Sequence, residues 1–101
     1  MNSKDPISKT KVKHIRRREL AEISDVLSTK SGRMFVWRIL ENAGIFRSSM
    51  SDSPNWTAFR EGARSLGLSI YADMMEACPA RLTEMSAEAK NQKLEDGTYG
   101  E

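Results

Sequence analysis

One stretch of the sequence constrains the fold more than any other, because its apolar residues recur at helical spacing and a glycine follows them. On a helical wheel, one sector holds Phe35, Val36, Ile39, Leu40 and Ala43. Ser31 is a suitable N-cap for such a helix, since its hydroxyl can accept from the first-turn amides. Gly44 stands where a left-handed residue ends a helix at no steric cost. The pattern predicts a helix that ends at Gly44.

A second and longer apolar stripe follows a serine-rich loop. It consists of Phe59, Ala63, Leu66, Ile70, Met74 and Ala77. Ser53 and Pro54 can cap and start this helix, with proline at its first position, and Asn55 is the alternative cap. Gly62 and Gly67 interrupt it, and each costs roughly 1 kcal/mol relative to alanine. Two such glycines predict the close approach of another backbone or a bulky ring, for which Trp37 or Phe46 is a candidate.

Two further segments complete an all-α prediction. Apolar spacing indicates a helix from Lys11 to about Ser28, and Pro79 separates the long stripe from a weaker helix over residues 80–93. We therefore expect a small helical bundle of three main helices plus a short C-terminal helix. Residues 1–10 are predicted to form a flexible basic arm, residues 11–93 a single helical domain and residues 94–101 a frayed tail. The predicted core contains Phe35, Ile39, Leu40, Phe59, Leu66 and Ile70.

Length and composition narrow the class of protein. A chain of 101 residues suits one domain with one modest core. It has no run of about 18 apolar residues and no hydrophobic stretch near its start, which argues against a membrane span and a secretory signal. Cys78 is its single cysteine, so an internal disulfide is excluded and a reducing compartment is favoured.

The sequence offers no arrangement of residues suited to catalysis. His14 is the single histidine, and no cysteine lies near it to complete a zinc site. The serines of the loop lack a histidine base, and the glycine pair of the long helix lacks the lysine of a phosphate loop. We expect no enzymatic activity, no metal and no cofactor. Asp73 and Glu76 lie beside the long apolar stripe, where a solvated state is the default and a structural pairing with Arg38 or Arg33 is the alternative.

The charge is unevenly distributed along the chain. Residues 1–18 carry seven lysines and arginines against one aspartate, whereas the remainder has nine basic and thirteen acidic residues. Such an arm can bind phosphate, bind an acidic protein surface or remain solvated. If it contacts nucleic acid, it does so through charge rather than base recognition. The candidate residues are then Lys11, Lys13, Arg16, Arg17 and Arg18.

A candidate partner-binding surface lies on the polar margin of the second helix. Trp37 and Met34 fall outside the apolar sector, and they are flanked by arginines. Aromatic, methionine and arginine side chains are enriched at protein interfaces. The predicted docking residues are Arg33, Met34, Trp37, Arg38, Phe46 and Arg47. The alternative is that Trp37 and Met34 form an ordinary edge of the core.

These segments also resemble a known family. The resemblance covers roughly residues 31–85 and rests on Gly32-Arg33, Trp37-Arg38-Ile39-Leu40, Gly44-Ile45-Phe46-Arg47-Ser48 and Thr57-Ala58-Phe59-Arg60-Glu61-Gly62-Ala63-Arg64-Ser65-Leu66-Gly67-Leu68. It continues more loosely through Met74-Met75-Glu76-Ala77-Cys78-Pro79 to Leu82. In these residues the chain is similar to the Bbp-nineteen-like family of small tailed-bacteriophage proteins.

The resemblance implies a small, helical, virion-associated phage protein made in the bacterial host cytoplasm. Its expected partners are virion proteins of the connector, tail or ejection machinery, with self-association left open. The alternatives are an accessory protein that binds nucleic acid through the basic arm and a phage-encoded regulator of a host protein. Residues 1–30 match no motif of the family.

Overall fold

The computed structural model describes the backbone of residues 6–46 and 54–100, and the side chains of residues 8–46 and 57–97. This part of the chain is helical and contains no strand, which confirms the all-α prediction. The helices are α1 (Pro6–Val26), α2 (Lys30–Ala43), α3 (Pro54–Ala77) and α4 (Ala80–Gly100). The predicted helix start at Pro54 and the break at Pro79 are confirmed, whereas Ser53 lies outside the described residues.

The two outer helices are longer than the sequence pattern predicted. α1 begins at Pro6, five residues before the expected start, because proline is tolerated in the first turn of a helix. α4 has 21 residues, as many as α1, and it continues through residues 94–100, which were expected to fray. Glutamine, lysine, leucine and glutamate are good helix formers, and they occupy residues 92–95, from which the helix continues past Gly97. The fourth helix is therefore not a short appendage.

α2 begins at a tight corner that follows α1. Thr29, rather than Ser31, is its N-cap, and the Thr29 hydroxyl accepts a hydrogen bond from the Gly32 amide at 3.1 Å. Thr29 is preferred because the chain turns there, with an extended backbone at φ −111° and ψ 152°. A Cβ at Gly32 would lie only 1.9 Å from the carbonyl oxygen of Val26. A side chain at this position is therefore incompatible with the corner.

Gly44 ends α2 as the sequence predicted. It has a φ of 75°, in the left-handed region that glycine adopts without a steric penalty. Its amide donates to the Glu41 carbonyl at 3.0 Å, and the Ile45 amide donates to the Leu40 carbonyl at 3.4 Å. This pair of bonds is a Schellman motif, and it turns Ile45 back into the core.

One buried cluster joins residues from all four helical regions. Its members are Leu27, Val36, Leu40, Ile45, Met74 and Met85. Leu27 follows α1 directly, so the cluster joins the end of α1, the inner face of α2, the last turn of α3 and the second turn of α4. The single cysteine, Cys78, packs against this cluster and is half-buried. The core therefore sits where the helices converge rather than along their whole length.

Half of the predicted core is wrong. Leu40 is buried, and Ile39 and Ile70 are half-buried. Phe35, Phe59 and Leu66 were also expected inside, but they are 54%, 64% and 65% exposed. The helical wheel located the apolar sectors of α2 and α3 but not the direction from which neighbouring helices approach.

Gly67 explains the error on α3. A Cβ added there would lie 2.5 Å from the Cβ of Ala43 and 2.8 Å from Cγ2 of Ile45. The end of α2 therefore packs directly on the α3 backbone at Gly67, and the inner face of α3 is centred on Gly67 instead of Leu66. The prediction of a close approach is right at Gly67, but its occupants are Ala43 and Ile45 rather than a ring.

The molecule is elongated and flat. Its principal extents are 61 × 38 × 15 Å, and its radius of gyration is 17.5 Å. A compact domain of about 100 residues has a radius of gyration near 13 Å. Parts of α1, α3 and α4 therefore extend beyond the core, and these three helices carry seven of the nine large apolar side chains that are exposed among the described residues.

Candidate docking site between α2 and α4

A groove runs between α2 and α4. Its volume is about 420 Å³, and its lining includes Met34, Phe35, Trp37, Arg38 and Lys93. A second depression, of about 350 Å³, lies beside it, and Trp37, Glu41 and Lys93 line both. Three of the predicted docking residues, Met34, Trp37 and Arg38, are thus brought together on one surface.

Two ion pairs fix how α4 lies along α2. Arg33 near the start of α2 binds Glu88, and Glu41 near the end of α2 lies 3.5 Å from Lys93 Nζ. Because residue numbers rise in the same order in both helices, α2 and α4 run parallel. The Lys93–Glu41 pair is exposed and therefore adds little stability. The Arg33–Glu88 pair therefore contributes more than the Lys93–Glu41 pair to holding α4 against α2.

Trp37 lies at the floor of the groove rather than on open surface. Its ring stacks on Phe46, with centroids 5.1 Å apart and an angle of 28° between the planes. The indole is half-buried and packs against the core cluster, as does Met34. Within the described part of the chain, the buried Trp37 Nε1 has no hydrogen-bond acceptor. Trp37 is both an edge of the core and a wall of the groove.

The rim of the groove carries an exposed arginine–aromatic pair. The Arg38 guanidinium lies over the Phe35 ring, 5.5 Å from its centroid, which is a cation–π distance. Phe35 and Phe46 are each about half exposed. Sequence reasoning assigned Phe35 to the core, although its position one residue after Met34 placed it beside the docking set. Arg47 lies outside the described residues.

Arg33 was predicted to dock a partner, but its side chain is buried and forms its hydrogen bonds within the molecule. It is 8% exposed, and its Nε and Nη2 atoms donate to the two carboxylate oxygens of Glu88, each at 2.9 Å. Its Nη1 donates to the carbonyl oxygen of Leu27 at 3.1 Å. Glu84 lies 3.6 Å from Nε. A bidentate pair of this kind positions α4 against the corner between α1 and α2.

The Arg33–Glu88 pair alters the titration of both groups. Hydrogen bonding to Arg33 is the main reason that the pKa of the Glu88 carboxyl is lowered, although burial acts in the opposite direction. Hydrogen bonding to Glu88 likewise raises the pKa of the Arg33 guanidinium. Both groups are therefore held in their charged forms.

The acidic residues of α3 do not pair as the sequence suggested. Arg38 and Arg33 were the candidate partners of Asp73 and Glu76, yet both carboxylates accept from Nη2 of Arg16, at 2.8 and 3.0 Å. These hydrogen bonds raise the pKa of Arg16, with Asp73 the larger cause. Arg16 therefore links α1 to α3.

The remaining candidates for nucleic-acid contact lie along α1. Lys11, Lys13 and Arg17 are exposed, and so is Arg18, whose Nε lies 4.0 Å from a Glu22 carboxylate oxygen. Arg16 differs because its guanidinium is engaged by α3. The exposed cations stand on α1, in the region where the sequence predicted a helix.

The described side chains present no group of three or more histidine, cysteine, aspartate or glutamate residues placed to hold a metal ion. Among the described helices, none is long and apolar enough to cross a membrane.

Comparison with known proteins identifies the family. The family model described as Bbp19-like phage protein, the Bbp-nineteen-like family named above, matches residues 23–87. No curated protein and no solved structure matches the chain. The match begins at the end of α1 and includes all of α2 and α3. The chain belongs to the Bbp19-like phage protein family.

Proposed function

We propose that this Bbp19-like phage protein is a non-enzymatic structural or assembly protein, and that its α2–α4 surface docks onto a larger virion component. Connector, tail and ejection proteins are the partners that the family resemblance suggests. The observation that carries the proposal is the groove itself, where Met34, Trp37 and Arg38 converge on one surface. Phe35 adds an exposed ring to its rim.

The chemistry of this surface favours a protein partner. A half-buried indole at the floor offers an anchored apolar surface, and Phe46 keeps it in one orientation through stacking. Arg38 can pair with a carboxylate of the partner while its stem covers the Phe35 ring. Trp, Arg and other aromatic residues are the types that dominate binding energy at interfaces. The partner is expected to present an apolar side chain flanked by acidic residues.

Mass spectrometry of purified virions tests the proposed location. Virion association predicts that this chain co-purifies with particles at a fixed copy number relative to the major structural proteins. An empty-particle preparation made without DNA packaging is a useful control, because it separates attachment to protein from attachment to packaged DNA. Absence from particles together with abundance in infected cells would reject the proposal and favour a regulator of a host protein.

Nucleic-acid binding is the second candidate, supported by the exposed Lys11, Lys13 and Arg17 on α1. Such binding would arise mainly from counterion release, so its affinity would fall steeply with salt and depend little on base sequence. Charge reversal of these three residues would abolish it, while Arg16 and its contacts with α3 stay intact. Equal and negligible gel shifts for the native and charge-reversed chains would exclude this function.

A further inference from the structure

A second apolar surface lies on α3, away from the docking groove. It consists of Phe59 and Leu66, which are exposed, together with Gly62 and Ala63 between them. At 100° per residue these four positions fall within one 100° sector of the helix. We call them the α3 patch. Its large side chains stand at either end, and its small residues lie in the middle.

Gly62 has no explanation within the described chain. A glycine inside a helix costs roughly 1 kcal/mol relative to alanine. At Gly67 the close contact with Ala43 and Ile45 explains why a glycine is needed. At Gly62, by contrast, nothing in the described structure lies within 4 Å of an added Cβ. Space at the backbone is useful where another helix crosses closely. Gly62 therefore leaves the α3 backbone open to a closely crossing helix, as far as the described residues go.

The order of residues in the patch makes it self-complementary. Phe59 stands three residues before Gly62, and Leu66 stands three residues after Ala63. If two copies of α3 cross antiparallel at this midpoint, Phe59 of each copy meets Leu66 of the other. Gly62 of each copy then meets Ala63 of the other. A two-fold axis demands this kind of reciprocal pairing.

The surface area of the chain is sufficient for such a contact. A folded monomer of 11.4 kDa is expected to expose about 5,800 Å². This chain exposes 7714 Å², an excess of about 1,900 Å² over the same expectation. A stable protein interface buries about 800 Å² on each partner. The excess could therefore supply one interface and still leave the α2–α4 surface accessible.

We infer that two copies of this protein associate through the α3 patch, with two antiparallel α3 helices crossing at Gly62 and Ala63. The dimer leaves the docking groove of each copy free. A protein that is repeated around a symmetric particle could thus present two docking surfaces to its partner. The inference is independent of the proposed function, because it concerns a different surface and a different occupant.

Analytical ultracentrifugation of the full chain over a range of concentrations tests the inference. The native chain should sediment as a monomer–dimer equilibrium. Leu66→Lys should weaken dimerisation about 100-fold or more, because the lost burial counts twice in a symmetric dimer. Gly62→Leu should weaken it as well, since the added side chain blocks the crossing. Leu68→Lys is the matched control, because Leu68 lies on the opposite side of α3. The dissociation constant of its dimer should equal that of the native chain.

Circular dichroism of each variant confirms that helical content is unchanged, as expected for substitutions at exposed positions. A native chain that stays monomeric at about 100 µM would overturn the inference, since that is far above the dissociation constant of a standard-size interface. So would a dimer that persists in both Leu66→Lys and Gly62→Leu. Retention of the Leu66→Lys variant in virions would leave the proposed docking role intact whichever result is obtained.

Discussion

The two glycines of α3 give the sharpest test of how this fold is packed. Each is replaced by alanine, which should gain about 1 kcal/mol of helix propensity at either position. At Gly62 nothing in the described structure meets the new methyl group, so the full gain should appear. At Gly67 the methyl would lie 2.5 Å from the Ala43 Cβ, whereas ordinary contacts are 3.4–4 Å.

The expected magnitude at Gly67 follows from this overlap. The neighbours are a Cβ and the Cγ2 of buried Ile45, so relief requires that the end of α2 move away from α3. Overpacking of this kind costs about 1–3 kcal/mol. Near the upper part of that range it exceeds the propensity gain, leaving Gly67→Ala about 1–2 kcal/mol less stable than the native chain.

Urea denaturation at low protein concentration, followed by circular dichroism, measures both variants against the native chain. Gly62→Ala should raise the unfolding free energy, and Gly67→Ala should lower it. In thermal melts the two variants should differ by on the order of 10 °C, given about 4–8 °C per kcal/mol for a domain of this size. If Gly67→Ala is stabilised as much as Gly62→Ala, the close contact between α2 and α3 is refuted.

Two further predictions concern the ion pair and the indole. The lowered pKa of Glu88 means that its pairing stabilises the fold at neutral pH, and this stability should be lost as the pH falls below about 4.5. Denaturation midpoints between pH 7 and pH 3 should therefore fall more steeply for the native chain than for Glu88→Gln, whereas Glu22→Gln in an exposed pair should follow the native curve. Trp37→Ala should lower the unfolding free energy by about 2–3 kcal/mol, somewhat below the cost at a fully buried site. A loss below about 0.5 kcal/mol in urea denaturation, the range of surface substitutions, would show that Trp37 does not pack on the core.

Helix boundaries marked by strong local signals could be predicted from the sequence. Gly44, Pro54 and Pro79 act through their own backbone chemistry, so the end of α2 and the starts of α3 and α4 were right. The N-cap was wrong because Ser31 and Thr29 are chemically equivalent caps. The choice between them depends on the corner that Val26 and Gly32 form.

The side of each helix that faces the core could not be predicted in the same way. The helical wheel placed Phe35 and Leu66 in apolar sectors, but the face of α2 that is buried in the structure holds Arg33, Val36 and Leu40. Arg33 is inside because Glu88, 55 residues away, neutralises it there. No local pattern in the sequence shows such a pairing.

The structure brings part of the predicted docking residues together for a related reason. Met34, Trp37 and Arg38 do line one groove, since their spacing on α2 alone places them on neighbouring rows. The opposite wall belongs to α4, and nothing in the sequence around residues such as Lys93 indicated that they would line a groove. Phe46 joins the site through its stacking on Trp37, and that contact depends on the turn at Gly44.

Incorporation of a rim variant into particles tests the docking proposal most directly. Phe35→Glu combined with Arg38→Glu changes two exposed side chains of the groove while leaving Trp37 and the core in place. Phage lacking the native gene would be complemented with this variant or with Leu68→Glu, an exposed control on α3. Quantitative mass spectrometry of purified virions then gives the copies per particle. We expect the rim variant to be depleted at least tenfold and the control to match the native chain, whereas native-level incorporation of a folded rim variant would contradict docking through the α2–α4 surface.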